Sequence, residues 1–312
     1  MVVDDGELLW EDRPDPVVGD TELLVDVKAA GLNGADMLQR RGLYPALPGS
    51  PPDIPGMELA GTVAAVGRQV TRFSVGDRVM GLVGGGAQAT RAVVDESHTL
   101  AVPDGLDWPA AGGFPEVFCT AVDALFGQAG LSMGERVLIT GAAGGVGTAA
   151  VQLAAAAGAR VVASVRHLES RDQVAALGAG MVVDPGTIAD HGPYDVVLEL
   201  VGAASLPDAL RALAPDGRVV VIGVGSGAKV EVNLLQLMAA RGRLSGSTLR
   251  SRDRQGKAAV VEATARHALP LLRSGRLRVP VAETRPMTEA TAAYDRFTAG
   301  RKLGKIVLVP PG

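Results

Sequence analysis

Residues 136–147 read Arg136-Val137-Leu138-Ile139-Thr140-Gly141-Ala142-Ala143-Gly144-Gly145-Val146-Gly147. Arg136–Thr140 carries the apolar run of a short buried strand. The Ala-rich segment 147–157 has the composition of a helix and stops at Gly158, where a left-handed residue closes a helix. A glycine turn between a strand and a helix start lets backbone amides approach an anion, which the helix dipole also favours. In that context glycines hold the pyrophosphate of a dinucleotide. The spacing is Gly141-x-x-Gly144-x-x-Gly147, and it departs from G-x-G-x-x-G because Ala142 takes the first glycine position. The turn predicts a cofactor cradle built from Gly141, Gly144, Gly145, Val146 and Gly147. A tight strand–helix turn without a ligand is the competing reading.

Beyond this turn, strand and helix patterns alternate. Arg160–Val165, Met181–Asp184, Asp195–Leu200 and Arg218–Ile222 are strand-like. Helices are expected over Glu169–Leu177, ended by Gly178, and near Pro207–Leu213. Apolar strands alternating with helices mean a parallel sheet covered on both faces. In such sheets ligands lie at the carboxyl ends of the strands. Val201 and Gly202 follow the fourth strand; Ile222, Gly223 and Gly225 stand at the end of the fifth. They are read as cofactor neighbours, though glycines also serve plain turns. The second strand ends Ser164-Val165-Arg166, with no acid to hold the ribose 2′-hydroxyl of NAD, and Glu169 lies too far on. An arginine there suits the 2′-phosphate of NADPH, and Arg171 can add to it. The competing readings are a solvated Arg166 and an Arg171 on an exposed helix face.

Upstream, Thr21–Ala30 alternates, with Val25, Val27 and Ala29 on one side and Asp26 and Lys28 on the other. That pattern marks a half-buried antiparallel strand. Leu59–Val66, Arg78–Val83 and Ala92–Val94 are further strand candidates, separated by Gly67 and Gly76-Asp77. Pro45, Pro48, Pro51, Pro52 and Pro55 exclude regular ladders from the loop 42–56. After Arg252 a long helix, broken at Pro270, leads to a last strand, Ile306–Val309. The chain therefore reads as α/β: a β-rich domain over 1–114, a doubly wound parallel sheet over 115–252, and a return to the first domain over 253–312.

The 312 residues are enough for two cores, and at 47% hydrophobic but 3% aromatic those cores must be Val, Leu and Ala. A net charge of −4 with interspersed signs argues against nucleic acid as a partner. Apolar runs such as Val219–Val224 are far below a membrane span. The start, residues 1–10, lacks the basic and apolar regions of a signal peptide. One cysteine, Cys119, forms no intrachain disulfide, and a cytoplasmic protein is expected.

The order of short motifs is distinctive. Ala30-Gly31-Leu32-Asn33 with Asp36 is followed by Gln39-Arg40-Arg41-Gly42-Leu43-Tyr44, Gly56-Met57-Glu58, Gly76-Asp77-Arg78-Val79 and Gly84-Gly85-Gly86 with Gln88. Then come Pro115-Glu116, the glycine turn, Leu249-Arg250-Ser251-Arg252-Asp253 and Gly304-Lys305-Ile306-Val307-Leu308. The series spans nearly the whole chain. It resembles the medium-chain dehydrogenase/reductase superfamily in its zinc-free quinone oxidoreductase branch, which includes zeta-crystallin, and most resembles the tumour-suppressor-induced type. The resemblance implies a GroES-like substrate domain with a Rossmann NADPH-binding domain inserted in it. It also implies an active site in the cleft and a homodimer joined through the cofactor domain. Family members have a few more residues ahead of the first strand, so Met1 is expected slightly inside it.

The same resemblance assigns roles to residues. Asn33 faces the nicotinamide ribose or the substrate; its other reading is a turn-bracing amide. Thr120 matches the threonine that contacts the nicotinamide side, and Thr248, Leu249 and Arg250 match a segment lining that end. Lys305 either reaches the cofactor or sits exposed on its strand. Tyr44, one of three tyrosines, offers a hydroxyl for the substrate oxygen and a later proton, or else packs on Pro45. Asp36 joins the same network or caps a helix. Cys119 reads as a small buried residue. Where zinc relatives have their first and histidine ligands, this chain has Asn33 and Met57, so no metal is expected. Glu58 then reads as a structural hydrogen-bonding acid. Without a Lewis acid, an unactivated alcohol is a poor substrate. A quinone or enone is already electrophilic and needs only orientation and a proton donor. A 2-enoyl-thioester reductase and a non-catalytic NADPH-binding protein remain as alternatives.

Overall fold

The computed structural model describes residues 1–47 and 49–311; the proline-loop member Pro48 lies outside them, as does Gly312. An antiparallel hairpin opens the chain, β1 (Val2–Asp4) against β2 (Glu7–Leu9), turned at Asp5 and Gly6 with φ of 43° and 82°. Three-residue strands are too short to show a period, and no sequence pattern announced them. The alternating segment forms β3 (Glu22–Gly31), which buries Leu23, Val25, Val27 and Ala29. Helix α1 (Gly34–Arg40) follows, then β4 (Glu58–Val66), β5 (Arg78–Leu82), β6 (Arg91–Asp95) and β7 (Thr99–Ala101). Helices α2 (Trp108–Gly112) and α3 (Pro115–Val122) complete this stretch.

The glycine-turn region then folds as β8 (Arg136–Ile139) and α4 (Gly145–Ala156). It continues as β9 (Arg160–Ser164), α5 (Arg171–Ala175), β10 (Met181–Val183), β11 (Tyr194–Glu199), α6 (Leu206–Arg211), β12 (Leu213–Val221), α7 (Leu234–Ala239) and β13 (Arg243–Gly246). The chain ends with α8 (Arg254–His267), α9 (Leu269–Arg273), β14 (Val281–Pro286), α10 (Ala290–Ala299) and β15 (Lys305–Val309).

Two compact units result. One comprises residues 1–119, 249–300 and 305–312; the other comprises 120–248 and 301–304. The chain passes between them inside α3 and after Thr248, a few residues from the expected boundaries at 114 and 252.

In the first unit a seven-stranded sheet runs β14-β15-β3-β4-β5-β7, with β6 also on β3. The late strand β15 pairs antiparallel with β3, Val307 opposite Gly31, so the chain's end completes the sheet its beginning started. Leu23, Val25, Leu59, Val79, Ile306 and Leu308 meet Tyr294 in its core.

In the second unit six strands are ordered β10-β9-β8-β11-β12-β13, and every pairing is parallel. This is the doubly wound order, reversing at β8 and β11, whose carboxyl ends form the ligand-binding edge of such sheets. Val137, Leu138, Ile139, Val196, Val197 and Val219 are fully buried, as unbroken apolar strands require.

Three expectations need correction. The helix after the glycine turn starts at Gly145, two residues before Gly147. The expected helix over 169–177 is a 3-10 turn, Leu168–Ser170, followed by the short α5. A sixth strand, β13, extends the sheet although no apolar run marks it.

Candidate functional site

In the second unit the glycine turn stands at the carboxyl end of β8. Gly141 takes φ +58°, and its carbonyl accepts the Gly144 amide at 2.9 Å. A Cβ on Gly147 would lie 2.5 Å from the Gly141 carbonyl oxygen, so only glycine lets α4 approach the turn this closely. Gly144 caps the helix and supplies no side-chain acceptor to its first amides. A twelve-residue helix thus presents uncapped amides at the carboxyl edge of a parallel sheet, the chemistry of a pyrophosphate cradle. Two contacts hold the turn in place: Ala142 N donates to Ser164 O at 3.2 Å, and Gly304 N donates to Ala143 O at 2.8 Å.

Ser164 is buried at the end of β9, and Arg166 is exposed two residues later. Arg166 Nε lies 3.2 Å from His167 Nε2. Arg171 behaves differently. Its guanidinium pairs with Asp184 at 2.8 Å and donates to Val165 O at 3.3 Å. A Cβ on Gly202, which takes φ +105°, would lie 2.8 Å from Gly227 O and 2.9 Å from the Val224 Cα, and a Cβ on Gly223 would collide with Leu200 O at 2.2 Å. A Cβ on Gly225 would meet nothing within 4 Å. Val146, Val201 and Ile222 are half-buried; Thr120 is buried and Thr248 exposed.

The first unit holds a buried polar cluster. Asn33, Asp36, Glu58 and Lys305 all lie beneath its surface. Lys305 Nζ is 2.7 Å from Glu58 Oε1 and donates to Leu32 O at 2.6 Å and Asn33 Oδ1 at 2.7 Å. Asn33 Nδ2 donates to Glu58 Oε1 at 2.9 Å and to Gly31 O at 3.2 Å. The second Glu58 oxygen accepts the Glu116 amide at 2.8 Å. Glu58 is thus the structural acid expected. Lys305 is not the exposed strand lysine; a buried ammonium persists because a buried carboxylate faces it. Asp36 accepts the Asn33 amide at 2.8 Å at the start of α1, in the capping role.

Burial raises two carboxyls here. Asp36 is pushed up to about 6, by burial first, against the pull of the Asn33 amide and Lys305. Glu116 is pushed up to about 8, by burial and then by the charge of Glu58.

Tyr44 is half-buried in the proline loop. The Arg250 guanidinium lies over its ring, 4.7 Å from the centroid, and donates to the Tyr44 carbonyl at 3.3 Å. Arg250 also donates to Gly84 O at 2.8 Å and to Gln39 Oε1 at 3.0 Å. Expected at the nicotinamide end, the Arg250 guanidinium is occupied with bracing the Tyr44 loop; Leu249 beside it is buried. Tyr194 and Tyr294 are fully buried structural residues, donating to Ile188 O at 2.6 Å and Gln88 Oε1 at 2.9 Å.

Sequence reasoning passed over Glu199, Thr140 and Ser205. Thr140 Oγ1 donates to Glu199 Oε1 at 2.8 Å, and Ser205 Oγ does the same at 2.8 Å. The available signal was a lone acid at the end of the apolar run Val196–Leu200, since a charge in a buried strand requires partners.

Comparison with known proteins agrees with both units. Residues 19–126 match the alcohol dehydrogenase GroES-like domain, and 145–265 match the zinc-binding dehydrogenase family. A quinone oxidoreductase from Pseudomonas aeruginosa is 34% identical over 94% of this chain and 92% of its own length. The quinone oxidoreductase-like protein 2 of Bos taurus is 32% identical over 92% and 84%. A mycobacterial protein solved in complex with NADPH superposes with a TM-score of 0.86 at 30% identity, over 96% of this chain and 94% of that one. The CurK enoyl reductase gives a TM-score of 0.83 at 27% identity, over 97% and 95%. The chain also matches polyketide synthases, of whose length it spans 8–14%. A GroES-like unit and a parallel nucleotide-binding sheet on one chain define an oxidoreductase class. This chain belongs to the medium-chain dehydrogenase/reductase superfamily, in its quinone oxidoreductase branch.

Proposed function

We propose that this protein is a metal-independent reductase that uses NADPH to reduce quinones or other α,β-unsaturated carbonyls. One observation carries the reading: the Lys305 ammonium bonds Glu58 and also Asn33, which stands where zinc relatives are expected to have their first metal ligand. Glu58 already has its counter-cation, and Asn33 and Met57 are poor replacements for thiolate and imidazole. Zinc therefore does not fit this donor set. An acceptor that is electron-poor by itself has no need of it.

NADPH, when bound, supplies the hydride. The amides of Gly145, Val146 and Gly147 hold its pyrophosphate, and Arg166 meets the 2′-phosphate. Val201, Gly202, Ile222, Gly223 and Gly225 let it pass close to the backbone. Tyr44 gives a hydrogen bond, and then a proton, to the acceptor oxygen that becomes negative. Arg250 fixes the ring of Tyr44 by stacking on its face, which limits the directions its hydroxyl can take. Asn33, pinned on both sides of its amide by Glu58 and Lys305, holds one orientation toward the ribose or substrate.

The likeness to an enoyl reductase favours a second reading, reduction of a 2-enoyl thioester by the same chemistry. The two separate in one assay: NADPH oxidation with 9,10-phenanthrenequinone against crotonyl thioester. Faster turnover of the quinone is expected. Preference for the thioester would reassign the substrate, and bound NADPH with no turnover of either would point to a non-catalytic protein.

We further propose a homodimer working in the cytoplasm. Strand β13 is exposed throughout at the edge of the parallel sheet, and an edge strand is a template for a second copy. Next to it in sequence, α7 exposes Leu234, Leu235 and Met238 at 66%, 75% and 70%. Monomers rarely leave such an apolar group uncovered.

A further inference from the structure

Glu199 ends β11 and is completely buried. Its Oε1 accepts four hydrogen bonds: Thr140 Oγ1 at 2.8 Å, Val201 N at 2.7 Å, Gly202 N at 2.8 Å and Ser205 Oγ at 2.8 Å. A carboxylate spreads about four acceptor sites over its two oxygens, so four short donors crowd Oε1, and a charged acceptor holds such donors more strongly than a neutral one. The Glu199 backbone carbonyl accepts two more, from Ile222 N at 2.9 Å and Gly223 N at 3.1 Å. The Thr140 hydroxyl in turn accepts the Leu200 amide at 2.8 Å.

One residue thus reaches all three turns at the carboxyl ends of the central strands. Thr140 immediately precedes the glycine turn, Val201 and Gly202 form the turn after β11, and Ile222 and Gly223 follow β12. Core packing alone does not explain the residue. Its Oε2 is buried without a hydrogen-bond partner among the described residues, so part of a costly desolvation goes unanswered. An apolar side chain at the end of an apolar strand would avoid that cost but leave the amides of 201 and 202 unheld.

We propose that Glu199 is a positioning residue for the dinucleotide, setting the glycine turn and the 201–202 turn at a fixed separation through one carboxylate oxygen, Oε1. The proposal rests on the cofactor reading above and adds to it the group that pre-organises the cradle. Glu199 acts on turns that meet the whole dinucleotide, so its loss must affect NADPH and NADH alike. Arg166 is expected to affect NADPH alone.

Calorimetric titration with NADPH and with NADH, alongside thermal unfolding, tests this on Glu199→Ala, Glu199→Gln and Thr140→Val. Glu199→Ala is expected to raise both dissociation constants by the same factor, about tenfold or more. Glu199→Gln keeps an acceptor at Oε1 but removes its charge, and is expected to recover only part of that loss. Thr140→Val cuts only the tie to the glycine turn and is expected to give an intermediate loss. Unchanged affinities in folded Glu199→Ala, whatever its melting temperature, overturn the proposal. Should that variant not fold, unchanged affinities in both Glu199→Gln and Thr140→Val overturn it equally. Wild-type protein that binds neither dinucleotide overturns the cofactor reading itself, a result distinct from any effect of the variants.

Discussion

At the scale of single residues, charge placed against charge explains most of both candidate sites. Among the described residues the exposed Arg166 guanidinium at the end of β9 bonds no carboxylate, whereas Arg171 pairs with Asp184. Arg166→Ala is expected to weaken NADPH by about tenfold or more, the size of a charge-assisted contact, and to leave NADH nearly unchanged. Equal weakening of both would remove the 2′-phosphate assignment. Tyr44→Phe keeps the ring under Arg250 and deletes only the hydroxyl. Its turnover should fall by about two orders of magnitude, in the range of general acid catalysis, with NADPH affinity intact. Unaltered turnover would reduce Tyr44 to a packing residue.

The raised carboxyls have a consequence for stability. Asp36 and Glu116 stay protonated to higher pH in the folded chain than carboxyls in water do, to about 6 and about 8. Between the ordinary carboxylate range and about 8 the folded state therefore binds more protons than the unfolded one. Stability contributed by these groups is present at low pH and is lost as pH rises through that window. Glu116→Gln cannot ionise and should flatten the upper part of the decline, between about 6 and about 8. Urea unfolding of both proteins across this range checks it; parallel profiles would exclude Glu116 as the source.

At the scale of elements, apolar runs and long periods were legible, down to the three residues of β10, and short strands without such a run were not. Strand β3 declared itself through alternation over Val25, Val27 and Ala29. β1, β2 and β7 have three residues each, fewer than a period needs. β13 is polar and exposed, and it forms because β12 offers it an edge, with Arg218 opposite Arg243 and Val221 opposite Gly246. The turn between β8 and α4 was legible because its glycines answer local demands of backbone conformation and close approach. Gly147→Ala puts a methyl group into the Gly141 carbonyl, 2.5 Å away. It should abolish measurable dinucleotide binding while far-ultraviolet circular dichroism stays close to wild type. Wild-type affinity in this variant would mean the turn is not the cradle.

For the whole molecule, the chain's last strand closes the sheet opened by its first long one, and the parallel sheet lies between them in sequence. That order follows from β15 pairing with β3, a contact between distant segments that no local pattern encodes. The exposed edge at β13 and the apolar side chains of α7 give the assembly prediction. Wild-type protein should sediment as a dimer, and Leu235→Glu with Met238→Glu should shift it toward monomer in analytical ultracentrifugation. A monomeric wild type would exclude the homodimer.

Local chemistry alone determined the parallel sheet and the glycine turn, because each is specified within a few consecutive residues. Tertiary structure decided the rest: that Lys305 is buried against Glu58, that Arg250 braces Tyr44, and that Glu199 gathers three turns. Those pairings join residues far apart in the chain, and the free energy that buries a charge belongs to the pair, so neither partner's own neighbourhood in sequence records it.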